Sequence, residues 1–148
     1  MAAGDVTIFE EFTQQLGAEQ HDFASDVIKL GLIDNTLTPL ANIATPTWTD
    51  YSANEVSAAG GYVAGGLTLS SVTWTELAGI ATLDADDIAL VQNAGGFADA
   101  YWGILYNDTN GTDMAFAFVE LAAPTSEVAG PVNINWNVSG IFRISIAA

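Results

Sequence analysis

The chain has no cysteine, a single histidine and only two basic residues, Lys29 and Arg143, in 148 positions. Without cysteine, thiol catalysis, Fe–S clusters, zinc–thiolate sites and a disulfide framework are all excluded. Nucleic-acid backbones are held by Lys and Arg that displace counterions. Two cations against 18 carboxylates, a net charge of −16, exclude a nucleic-acid partner in practice. The same deficit argues against anionic membrane surfaces and phosphorylated substrates. Charge of either sign is sparse: 14% of residues, against roughly 25% in an average soluble domain.

Long hydrophobic runs are also missing. Half the residues are apolar and mean hydropathy is positive. Yet the longest apolar stretches, Ala100–Tyr106 and Met114–Val119, fall far short of the roughly 20 residues of a spanning helix. Much of the apolar count is small, with 24 alanines. No positive segment followed by an apolar one opens the chain, so no secretory signal is expected. A chain of this length buries roughly 68–70% of its unfolded surface and needs no staple. No repeat or linker divides it, which points to one domain over 1–148. With so few charges to cover the outside, part of the surface is expected to be buried against other subunits.

What is present reads as an N-terminal helix followed by β-structure. Thr7 and Glu10 have capping-box spacing. Phe9, Phe12, Leu16 and Phe23 recur near helical spacing, leaving Glu10, Glu11, Gln14, Gln15 and Glu19 for the other side. A helix is expected over Thr7–Phe23, within a helical segment 1–24. The run Asp26–Ile33 is a strand candidate, and Asp34–Asp50, with Pro39 and Pro46, an irregular excursion. Ser52 and Glu55 repeat the capping-box spacing, which suggests a helical turn or two over Ser52–Ser57. Leu67–Thr75 is strand-like with a phase slip near Ser70–Ser71, which suggests a bulge or bend. Strands are expected at Ile80–Leu83, Ile88–Val91, Tyr101–Tyr106 and Met114–Leu121. Val132, Ile134, Trp136 and Val138 alternate with Asn133, Asn135, Asn137 and Ser139, and Ile141–Ile146 closes the set. Turn residues separate these strands at Gly60-Gly61, Gly65-Gly66, Asn93–Gly96, Asn107–Asp113 and Pro124–Pro131. The expectation is a mainly β, single-domain antiparallel β-sandwich of jelly-roll type over 26–146, carrying the N-terminal α-helix.

Candidate chemistry is thin. His21 stands beside Asp22, but no nucleophile motif accompanies it, and a surface or helix-end histidine is the better reading. Asp84, Asp86 and Asp87 form an acidic cluster, and Glu76 and Glu120 fall in or near strands. Two carboxylates suffice for glycoside hydrolysis, yet no spacing selects a pair. Trp48, Trp74, Trp102 and Trp136 could be sugar platforms, although Trp74 and Trp136 sit in phase with core positions and core or interface packing is favoured. Asn107–Asp113 has oxygen ligands and a Gly like a calcium loop but lacks the closing Glu, so a hairpin turn is expected. The glycine pairs match no dinucleotide or phosphate loop. The N-x-[ST] triplets at Asn107, Asn110 and Asn137 matter only in a secreted eukaryotic protein. No catalytic, cofactor-binding or metal-ligating residue is assigned, and no cofactor is expected.

One ordering of residues is familiar. Thr45-Pro46-Thr47-Trp48, Tyr51–Val56, Gly60-Gly61-Tyr62, Val72-Thr73-Trp74, Ala100–Asp108 and Asn135–Phe142 together resemble small structural proteins of tailed-bacteriophage heads, over most of Asp26–Ile146. The resemblance implies a non-enzymatic capsid decoration (cement) protein, made in the host cytoplasm and bound to the outside of the virion. Its implied partners are the major capsid protein and further copies of itself, as a trimer or pentamer. The strong negative charge fits an outer surface better than one facing packaged DNA. The helix Thr7–Phe23 or the excursion Asp34–Asp50 would be the docking element. A jelly-roll module on a tail or fibre, binding a glycan or receptor through Trp48 or Trp102, is the second reading. A carboxylate hydrolase is the third. An acidic, lysine-poor surface also suits high-salt surroundings whatever the function.

Overall fold

Short runs of β-branched and aromatic residues, punctuated by Gly, Asn and Pro, become ten strands and one short helix in the computed structural model, which describes residues 4–146. The strands are β1 (Val6–Ile8), β2 (Ile28–Ile33), β3 (Leu67–Thr68), β4 (Thr73–Leu77), β5 (Ile80–Asp84), β6 (Ile88–Leu90), β7 (Ala100–Asn107), β8 (Ala115–Thr125), β9 (Val132–Ile134) and β10 (Phe142–Ser145). The helix, α1, is Phe12–Gly17. The fold is mainly β, and every strand pairing is antiparallel. Five strands form one sheet in the order β1-β8-β7-β2-β3, three form β10-β5-β4, and β6 pairs with β9.

The central strands read as continuous apolar runs because both their faces are covered. Leu30, Leu32, Leu105, Ala117 and Val119 enter one buried cluster with Leu83, Ile141 and Phe142. From the other face Ile33, Ile104, Tyr106 and Phe118 pack with Trp48 and Tyr51. A register shift pairs Leu105 with Ala117 but Tyr106 with Ala115, which leaves Phe116 as an extra residue. That bulge adds Phe116 to the first cluster, where it meets Phe12, Phe23 and Phe142. The excursion is irregular, as expected, until a 3₁₀ turn at Trp48–Asp50, and Leu37, Ala41 and Ile43 lie over the second cluster.

Three expectations need correction. The N-terminal helix shrinks to six residues. Val6, Thr7 and Ile8 pair instead with Val119, Phe118 and Ala117. Three residues, all of them β-branched, gain more by extending the edge of β8 than by a lone helical turn. The Thr7–Glu10 capping box therefore does not form, His21 lies beyond the helix, and Gln15, assigned to its outer side, is buried. The phase slip at Ser70–Ser71 is the bend of the two alternatives: Ser71 takes φ 53°, and the chain passes there from β3 to β4 of a different sheet. The Asn-rich alternation ends at Ile134, since the partner strand β6 has only three residues, and Val138 is fully exposed. A single 3₁₀ turn does form at Ser52–Asn54. Glu55, however, turns to Tyr62 and Gly65 rather than back to Ser52. The box lies one turn earlier, where the Asp50 carboxylate accepts from the backbone N–H and hydroxyl of Thr47.

Tyr62 ties the loop after these turns to the sheet. Its buried hydroxyl accepts the Leu32 N–H (2.9 Å) and donates to Glu55 (2.8 Å). Burial, reinforced by Glu55, raises its pKa well above the ordinary value. Tyr62→Phe strands the Leu32 N–H in the core, so urea unfolding should show a loss of about 1–3 kcal/mol. An unchanged midpoint would contradict that role.

Candidate functional site

The structure disperses the carboxylates that the sequence places together. Asp86 accepts the Ser71 hydroxyl at 2.6 Å, and its backbone N–H donates to the Ser70 carbonyl. Asp87 accepts the backbone N–H of Trp136 at 2.8 Å. Asp84 ends β5 opposite Thr73. Glu76 accepts the Gly79 N–H at 2.6 Å and steadies the β4–β5 turn. Each of Glu76, Asp86 and Asp87 is thus engaged in holding a turn or a connection. The Asn107–Asp113 segment is the hairpin turn between β7 and β8. Asn107 Oδ1 accepts the N–H groups of Thr109 and Asn110, and Asn110 Oδ1 accepts the backbone N–H and the hydroxyl of Thr112. Among the described residues, no group of three or more His, Asp or Glu side chains is arranged to hold a metal.

The tryptophans divide unexpectedly. Trp48 is 6% exposed and stacks on Tyr106, with ring centroids 5.2 Å apart and planes within 4°. Trp102 packs against Phe118 in the same cluster. Trp48 therefore has no free face of the kind expected of a sugar platform, whereas Trp102 is only partly buried. Trp74 and Trp136 are only partly buried, and both line surface hollows.

His21 is buried in an aromatic nest, stacked on Phe23 at 5.5 Å and edge-on to Phe116. Its Nε2 lies 2.9 Å from Gln15 Oε1, an oxygen that can only accept, so Nε2 carries the proton. Nδ1 then faces the Asn107 amide at 3.5 Å, whose N–H groups are directed to Asp26 Oδ2 (2.6 Å) and the Gln20 carbonyl (3.0 Å). A second proton on the ring would meet a donor. Burial, opposed in part by Asp26, lowers the pKa to about 4. The ring is a neutral internal strut.

Glu127 was not legible as a functional residue, because a carboxylate between Pro124 and Pro131 reads as part of a solvated turn. It is 1% exposed. Its Oε1 accepts the Gly61 N–H at 2.8 Å, while Oε2 has no hydrogen-bond partner. A Cβ on Gly60 or Gly96 would stand within 2.8 Å of its carboxylate carbon. These glycines are at turns, and they also make room for the acid that joins three loops.

Two surface features remain. The first is the end of the β4–β5 hairpin. Ala78 and Gly79 both take positive φ (53° and 81°), as a tight type I′ turn requires. Leu77 beside them is 81% exposed, its partner Ile80 37%, and Ile146, whose N–H donates to the Gly79 carbonyl, 83%. The second is a groove of about 500 Å³ between the β1 and β10 edges, lined by Asp5, Thr7, Asn135, Trp136, Asn137 and Arg143 among others. A smaller hollow of about 250 Å³, which reaches Glu120, shares Gly4, Asn135 and Trp136 with it.

In comparisons with protein-family models, curated proteins and solved structures, this chain matches none.

Proposed function

We propose that this chain is a non-enzymatic structural protein of a tailed-phage virion, a decoration protein docked as an oligomer on the outside of the head. The observation that carries the docking reading is the apolar end of the β4–β5 hairpin, where Leu77, Ile80 and Ile146 meet solvent on a rigid turn. An aliphatic side chain moved from water into a contact contributes about 1.5–3 kcal/mol. This end replaces Thr7–Phe23 as the proposed docking element. The head assignment rests on the resemblance in residue order.

A β-sandwich or jelly roll is the corresponding fold reading. It is supported by Phe116 of the five-stranded sheet lying 6.1 Å from Phe142 of the three-stranded one. Charge narrows the partner. With a net charge of −16, and with Lys29 already paired to Asp108 at 2.9 Å, the shell surface that receives the protein should be basic.

The test is quantitative mass spectrometry of purified particles. A copy number comparable to the major capsid protein is expected, and absence from particles would overturn the reading. A Leu77→Asp/Ile146→Asp double variant should keep its stability within about 0.5 kcal/mol. Its binding to particles stripped of the protein should fall by at least about tenfold. Undiminished binding would remove the hairpin end as the docking element.

A further inference from the structure

The groove beside Trp136 has a composition that docking on a shell does not require. Its volume of about 500 Å³ falls in the range of small-molecule sites, roughly 300–1,000 Å³. Trp136 is held at both of its donors: its backbone N–H bonds to Asp87 Oδ1 at 2.8 Å and its indole N–H to the Asp86 carbonyl at 3.1 Å. The indole is therefore a prepositioned apolar wall with its polar edge already satisfied. It lines both hollows, which also share Gly4 and Asn135.

Around the indole stand polar groups with capacity to spare. Asn135 and Arg143 are exposed, and their side chains make no hydrogen bond or ion pair within the described residues. Asn137 uses its Oδ1 on the Ser139 N–H, which leaves its amide protons for a ligand. Arg143 is one of only two cations in the chain, and the other is paired to Asp108.

We propose that this groove binds a neutral saccharide. A pyranose ring presents an apolar C–H face that an indole can cover and hydroxyls that both donate and accept. The free amides and the guanidinium supply donors and acceptors that match that mixture. An apolar ligand would strand the polar lining without partners. A phosphorylated or uronic ligand would enter the field of a strongly acidic protein with one guanidinium to receive it. The site does not depend on the virion reading, and either can fail alone.

The test uses the intact protein and neutral hexasaccharides of gluco, galacto and N-acetylglucosamine type, followed by tryptophan fluorescence and calorimetry, with a hexauronate alongside. At least one neutral hexasaccharide should bind. Trp136→Ala should weaken it by about tenfold, the equivalent of one stacking contact. Trp136 also packs against the core, so Asn135→Ala and Arg143→Ala serve as the second pair. Both are exposed, should fold normally, and should each weaken binding by about threefold. The proposal is overturned if no neutral hexasaccharide binds at about 10 mM, or if binding survives the Asn135 and Arg143 substitutions unchanged. Equal or tighter binding of the hexauronate would overturn the neutral class.

Discussion

Replacing Gly31 with alanine is expected to lower stability by about 3 kcal/mol, at the upper end of what overpacking costs. Gly31 lies in β2 opposite Ile104 and is buried. A Cβ there would stand 2.9 Å from Trp48 Cε3 and nearer still to Cζ3 and Cη2. The indole has little room to retreat, because Tyr106 is stacked against it at 5.2 Å. Either the ring leaves its seat or β2 shifts against β7. Urea denaturation of the single variant measures the loss. In a Trp48→Leu background the same Gly31→Ala change should cost less than about 1 kcal/mol, since the clashing ring is gone. Equal costs in both backgrounds would show that the glycine serves the strand itself and not the tryptophan.

Acidification is the second large effect. The His21 pKa is about 4 in the folded protein against 6.5 for the free side chain. Between those values the unfolded chain takes up a proton that the folded one refuses. The stability this ring supports is thus complete above pH 6.5, falls as pH drops through the window, and is gone near pH 4. At about 1.4 kcal/mol per pKa unit the total approaches about 3 kcal/mol. His21→Gln carries no titrating group and keeps a donor for Gln15. The wild-type-minus-variant difference should therefore be flat above neutrality and shrink by that amount between pH 6.5 and 4. Subtracting the variant removes the titration of the 18 carboxylates common to both proteins. Parallel stability curves would show that the ring is not held neutral by its burial.

Strands β2, β7 and β8 were legible because Leu30–Ile33, Gly103–Tyr106 and Ala115–Val119 are unbroken runs without a charge. The turn at Asn107–Asp113 was legible because Asn and Gly carry their own local hydrogen-bonding chemistry. The groove was half legible. The Asn-Trp-Asn run around Trp136 stood out, but its alternation suggested a continuing strand with the indole in the core. Glu127 gave no signal, since only the approach of Gly60, Gly61 and Gly96 from two other loops makes its position an interior one.

By itself the sequence determined the absence of thiol chemistry, the preponderance of strands and the places where the chain turns. Charge, cysteine content and Gly or Asn preferences act within one residue or over its near neighbours. Only the tertiary structure decided that Val6–Ile8 is an edge strand, that Thr68 and Thr73 lie in different sheets, and that Trp48 is buried while Trp136 lines a groove. Local helix and strand preferences differ by tenths of a kcal/mol up to about 1 kcal/mol per residue. Pairing with the edge of β8 or a seat over Gly31 outweighs them, and each depends on residues far away along the chain.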